Sequence, residues 1–158
     1  MSLRLRPLRE DELPAYIVRG RAAYARDMIE QAGLSREAAE QKADSDWSKL
    51  LPDGVIQPGS YLFAVEEAET GERVGDLWYA ERDSEFEGKT AFVYSIEISP
   101  DFRGRGFGRE AMQLLEDEVR SRGLPRISLN VFGGNEVARS LYRSLDYVET
   151  AVFMVKEL

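Results

Sequence analysis

A chain of 158 residues with 43% hydrophobic content can bury one full-sized core, which excludes a disordered chain. It has no cysteine and no histidine, which excludes thiol nucleophiles, disulfides, Cys/His zinc sites and histidine-based triads; no metal site is expected, and acid–base chemistry falls to carboxylates, tyrosine, lysine or water. With 21 Lys plus Arg against 29 Asp plus Glu, the formal net charge of −8 argues against general nucleic-acid binding and suits a cationic substrate.

The opening MSLRLRPLRE has basic residues with no apolar stretch behind them, which reads against a secretory signal. No apolar run approaches a membrane span, so no membrane partner is expected and the cytoplasm is the expected location. Residues 3–8 alternate apolar and charged and predict a strand. Residues 10–33 predict a helix that opens on acids and closes at Gly33, and Ser35 is placed to cap a second helix in which Ala39, Ala43, Trp47, Leu50 and Leu51 recur at helical spacing. The stretch LPDGVIQPGS is a loop. From Tyr61 the period changes: residues 61–80 predict two strands joined at Thr70-Gly71, followed by a charged loop, ERDSEFEGK, and a strand over 90–99. After a Gly-rich stretch comes a helix with Ala111, Met112, Leu115 and Val119 on one face, stopping at Gly123-Leu124-Pro125. A strand over 126–132, a short helix over 135–146 and a terminal strand over 147–158 complete the chain. With no repeat or linker, residues 1–158 are expected to form one α/β (α+β) domain.

The stretch SPDFRGRGFGREAM joins a strand to a helix and holds three arginines and three glycines within seven residues. Glycines allow a sharp turn and close approach of a ligand to the backbone. The first helical N–H groups lack partners within the helix and, with the helix dipole, make an anion site. Arg103, Arg105 and Arg109 add charge and donors, and a phosphate is the natural occupant. The spacing is neither a Walker loop nor the dinucleotide fingerprint, and a solvated turn is the other reading.

In the strand before it, alternation puts Phe92, Tyr94, Ile96 and Ile98 on one face and Ala91, Val93, Ser95, Glu97 and Ser99 on the other. The second face turns polar at its carboxyl end, so Glu97 either looks into a cleft beside the anion site or faces water.

These residues resemble the GNAT superfamily of N-acetyltransferases, whose hallmark after a central strand is Q/R-x-x-G-x-G/A. The chain has Arg103-Gly104-Arg105-Gly106-Phe107-Gly108, with Pro100 before it, and a second match in LNVFGGNEVARSLYRSLDY. The clear resemblance covers roughly residues 90–158. It implies a GNAT fold, with a central mixed, mostly antiparallel twisted sheet flanked by helices, and transfer of an acetyl group from acetyl-CoA to a primary amine by direct attack in a ternary complex. It implies that the amides of Arg105, Gly106, Phe107, Gly108 and Arg109 hold the pyrophosphate and that backbone near Ile96 and Ile98 aligns the acetyl group and pantetheine arm. Asn135 would contact coenzyme A, or serve only as a helix N-cap, and Tyr142 would protonate the departing thiolate, or be a core tyrosine. A phenol with a pKa of about 10 is protonated at neutral pH and can donate to a sulfur anion. Homodimers are common in the family, and the terminal strand could pair across one.

Two departures stand out. Asn130 lies where some protein N-terminus acetyltransferases of the family carry a glutamate base, which puts such a substrate in doubt, and Asp146 replaces the usual glycine before the closing aromatic. A lysine-like amine is neutral in roughly one molecule in 2,500 at pH 7, so a base is valuable. Glu97 is the candidate, with Glu81 and Glu85 in reserve. Trp78 and Tyr94 are candidate acceptor contacts, while Trp47 and Tyr24 lie on helices that shape the acceptor cleft in the family, or in the core. The alternative from another class is a non-catalytic acyl-CoA-binding or regulatory module.

Overall fold

The computed structural model describes residues 2–158. The sheet takes the chain's own order: β1 (Leu3–Pro7), β2 (Ser60–Glu67), β3 (Arg73–Ser84), β4 (Gly88–Ile98) and β5 (Ile127–Leu129) lie side by side in sequence. The first four pair antiparallel and β5 joins β4 in parallel. The helices are α1 (Leu13–Ala32), α2 (Arg36–Leu50), α3 (Phe107–Ser121) and α4 (Glu136–Ser144). This is the expected mixed, mostly antiparallel α/β fold.

Helices cover both faces of the sheet. On one, Phe63, Val65, Leu77 and Val93 pack against Ala111, Met112, Leu115 and Val119, the predicted apolar stripe of α3. On the other, Leu62, Ala64 and Trp78 meet Tyr16 of α1 and Trp47 of α2. A methyl group on Gly20 would fall 2.0 Å from the Trp47 ring, so this glycine lets α2 press its indole onto α1. The helix ends follow the sequence: Ser35 Oγ accepts from Ala38 N at 3.2 Å, and Gly33 closes α1 in the left-handed region (φ 71). An ion-pair network fixes the start of α1. Arg6 grips Glu12 with two bonds of 2.8 and 3.0 Å, and Arg73 of β3 adds a third at 3.2 Å.

Three expectations are corrected. The charged loop 81–89 is largely strand, with Arg82 opposite Thr90 and only residues 85–87 left as the turn. The strand over 126–132 is confined to Ile127–Leu129. Residues 147–158 form no strand: Tyr147 packs against the core, Glu149 is bound by Arg139 and Arg143, and farther on Val152, Phe153, Met154 and Val155 are 71–94% exposed.

Candidate active site

The site begins with an irregularity in β4. Trp78 lies opposite Ser95 but Tyr79 opposite Val93, so Tyr94 is an extra residue, a β-bulge. The bulge resets the side-chain alternation. Ala91, Val93, Ile96 and Ile98 pack on the α3 face, whereas Tyr94 packs with Trp78 on the α1 face and Ser95, Glu97 and Ser99 line a cavity beneath α1. The alternation expected from the sequence therefore holds only up to Val93.

A second break lies on the other edge of the strand. β5 pairs with Ala91–Val93 and no further, so from Tyr94 to Ile98 that edge of β4 has no strand partner among the described residues. The result is an open slot at the carboxyl end of the central strands. The Ile98 carbonyl is taken by Arg103, whose Nε donates to it at 2.9 Å.

Beyond β4, a short turn (Pro100–Phe102) leads into the Gly-rich stretch. Gly104 and Gly106 have φ of 77 and 79, where a side chain would be strained. Gly106 is the N-cap of α3 and has no side chain to cap with. The first bond of the helix is Glu110 N to Gly106 O at 3.1 Å, so the N–H groups of Phe107, Gly108 and Arg109 lie outside its ladder. That arrangement suits an anion. The arginines frame it while held by the protein: Arg103 lies 3.4 Å from Glu97, Arg105 donates to Asp101 O at 3.2 Å, and Arg109 donates to Ser144 Oγ at 2.6 Å. Gly108 serves packing as well, since a methyl group there would stand 3.4 Å from Leu141 of α4.

These contacts set α4 against the start of α3. Asn135 caps α4, its Oδ1 accepting from Ala138 N at 3.2 Å, which leaves its amide nitrogen for other partners. Tyr142 packs at the edge of the α3-side core, and burial pushes its phenol pKa up. Asp146 adopts the left-handed turn (φ 68) that glycine would otherwise fill.

The cavity on the opposite face has a volume of about 290 Å³ and is lined by Tyr16, Arg19 and Arg26 of α1 and by Asp76, Ser95 and Glu97 of the sheet. Asp76 stands opposite Glu97 across the strands and is engaged by Arg73 and Arg19. The Tyr16 hydroxyl is buried with no hydrogen-bond partner, Ser95 lying near it but outside bonding geometry, and burial raises its pKa. Tyr16, Asp76 and Ser95 were not singled out from sequence. Tyr16 sits on the apolar stripe of a helix, and only its orphaned hydroxyl in three dimensions marks it out.

The other candidates lie elsewhere. Trp78 is 1% exposed and donates its indole N–H to Ser60 Oγ at 2.7 Å, so it packs the interior. Tyr94 is held by Arg82, which donates to its hydroxyl at 2.8 Å. Trp47 is in the core, and Tyr24 donates to Asp46 at 2.8 Å. Glu81 stands opposite Ala91, six residues from Glu97 and about 20 Å along the strand, and Glu85 lies farther still, so the structure does not bring either to the cavity that Glu97 lines.

An open central slot, a Gly-rich helix start and a flanking cavity place this fold among acyltransferases, and comparison with known proteins agrees. Residues 21–147 match the Acetyltransferase (GNAT) family, and the chain belongs to that family. It is similar along its whole length to two proteins of Bacillus subtilis (strain 168), the uncharacterized N-acetyltransferases YycN and YdgE. Identity is 30% over 158 residues and 31% over 159, covering 100% and 99% of those proteins. The crystal structure of YycN superposes with a TM-score of 0.91 at 29% identity, covering 99% of each chain. Among the described residues no helix is long and apolar enough to cross a membrane, and no acidic cluster could hold a metal ion.

Proposed function

We propose that the protein transfers the acetyl group of acetyl-CoA to a primary amine of a small molecule or peptide, within a ternary complex. The observation that supports it most is the build of β4. Its unpartnered edge from Tyr94 to Ile98 opens towards the α3 face, where Tyr142 sits, and towards the α1 face, where Glu97 sits in a cavity sized for a small amine.

The amides of Arg105 to Arg109 bind the pyrophosphate at the start of α3, and Gly104 gives them their turn. With the Ile98 carbonyl occupied by Arg103, backbone groups from Ser95 to Glu97, Ile96 among them, hold the pantetheine arm and acetyl group along the slot. The free amide nitrogen of Asn135 contacts the arm from the other side. In the cavity, Tyr16, Ser95 and the two carboxylates orient an incoming ammonium group, and Glu97 accepts its proton directly or through one water. The neutral amine attacks the thioester carbonyl, forming the C–N bond, while a backbone N–H of the bulged strand receives the oxyanion. Collapse breaks the C–S bond, and Tyr142 gives its proton to the departing sulfur; the new amide nitrogen sheds its extra proton through water, which restores the phenol, and Glu97 releases the proton it took to solvent. Burial keeps that phenol protonated at neutral pH, as a donor must be. A cytoplasmic setting follows from the donor, a charged metabolite held inside the cell.

The test is incubation with isotopically labelled acetyl-CoA and a mixed amine pool, read by mass spectrometry. Labelled amide products support the reading. Bound acetyl-CoA with no labelled amide in any pool would contradict it.

A further inference from the structure

The charges around the cavity beneath α1 narrow the choice of acceptor. The chain's net charge of −8 suits a cation, but the cavity itself is not acidic. Its two carboxylates are already matched: Asp76 accepts from Arg73 Nε at 2.9 Å and has Arg19 at 3.5 Å, while Glu97 has Arg103 at 3.4 Å. Facing them on the wall formed by α1 are Arg19 and Arg26. These two lie seven residues apart, two turns along one face of the helix, and the short side chains of Ala22 and Ala23 between them leave the space open. Arg26 has no ion-pair or hydrogen-bond partner among the described residues.

A bare cation such as a polyamine would meet two guanidinium groups here, and like charges at close range repel. A molecule with both an ammonium and a carboxylate finds a complement for each. The planar guanidinium fork fits a carboxylate with two parallel bonds.

The ammonium end has a marker of its own. Tyr16 is 3% exposed, and its hydroxyl lines the cavity with no partner. A buried hydroxyl left unpaired lowers stability, so a ligand that pairs with it accounts for its presence. Its oxygen can accept from an ammonium beside Ser95 and Glu97. Size agrees: about 290 Å³ is at the small end of ligand cavities, room for an amino acid and not for a drug-sized amine.

We propose that the acceptor is a small zwitterion of amino-acid size, its ammonium held by Tyr16, Ser95 and Glu97 and its carboxylate by Arg26. The assignment rests on the acetyl transfer proposed above and narrows its amine to one class. Arg26 selects the substrate and takes no part in making or breaking bonds.

The test measures kcat/KM for thiol release with pools of the standard amino acids, of their carboxamides, and of the amines left when the carboxyl group is removed. Wild type is compared with Arg26→Gln and Tyr16→Phe. Amino acids should outrun both carboxylate-free series by about 10- to 10²-fold, and Arg26→Gln should bring that ratio towards one. Tyr16→Phe should raise the KM for the amino acid about ten-fold while the Tm of the free protein holds or rises, a combination that a packing role would not give. Carboxamides or simple amines acetylated as well as the amino acids would overturn the proposal and leave amine acetylation standing. A preference for amino acids that survives Arg26→Gln would overturn it as well. So would a raised KM for acetyl-CoA in that variant, which would put Arg26 on the coenzyme. No acetylated product from any pool, with acetyl-CoA bound, would remove the acetyl transfer itself and this inference with it.

Discussion

The Arg103 guanidinium lies 3.4 Å from Glu97 Oε1 while its Nε donates to the Ile98 carbonyl at 2.9 Å. One side chain therefore links the candidate base to the backbone of the open slot. The link explains how the Gly-rich turn, a binding element, and the polar end of β4, a reacting element, keep a fixed relation.

If Glu97 takes the amine's proton, Glu97→Gln lowers kcat at neutral pH by about 10²-fold and leaves the KM for acetyl-CoA within a factor of about two. The residual rate then climbs with pH towards the amine's own pKa, because only amine deprotonated in solution reacts. A pH–rate profile that overlays the wild type would reassign the base.

Tyr142→Phe removes the proton given to the leaving sulfur without touching the anion site. Turnover is expected to fall about 10²-fold while acetyl-CoA affinity by titration calorimetry holds. Burial moves the Tyr142 pKa up, so the proton-bearing form persists beyond the pH at which an exposed tyrosine would lose it, and the wild type shows no loss of rate from this residue at neutral pH. Unchanged turnover in the variant would take Tyr142 out of the mechanism.

Gly75 of β3 stands opposite Ile98, and a methyl group there would fall 2.2 Å from the Glu97 carbonyl oxygen, a backbone atom that cannot swing aside. Gly75→Ala should cost about 1–3 kcal/mol in urea unfolding by forcing the strands apart. It should also lower kcat, since the displaced segment carries Glu97. A variant as stable and active as the wild type would show that this end of β4 tolerates displacement.

The double bond from Arg6, with the Arg9 backbone N–H, holds the Glu12 carboxyl down to about 2. A carboxyl depressed in the folded state stabilises the protein above its unfolded pKa of roughly 4.3 and loses that contribution as pH falls towards 2. Tm should therefore drop across pH 4.5 to 2, and Glu12→Gln should lower Tm at pH 7 and flatten that acid limb. Parallel curves for the two proteins would deny Glu12 the role. Because Glu12 fixes the start of α1, which roofs the cavity, the same variant links stability to the shape of the acceptor site.

The helices and the anion site were legible in the sequence because both are local. The stripe of Ala111, Met112, Leu115 and Val119 follows from helical period, and all four are buried. Likewise Gly104 and Gly106 mark a turn whose φ values only glycine adopts with ease. The bulge was not legible: an extra residue leaves no mark when Tyr94 and Ser95 suit either face, and its effect shows only against the register of β3. Tyr16 and Asp76 come to the cavity from distant parts of the chain, so no spacing announces them. The terminal segment has strand chemistry, yet no described strand pairs with it, because pairing is decided by what lies beside a segment and not by its composition.

The most direct measurement is thiol release from acetyl-CoA by the wild type, with and without pooled amines covering amino acids, polyamines, aminoglycosides and short peptides, alongside Tyr142→Phe. Amine-dependent release well above the hydrolysis blank, strongly reduced in the variant, is the predicted result. Release that never exceeds the blank in any pool, while acetyl-CoA binds, would contradict amine acetylation and leave an acyl-CoA-binding protein.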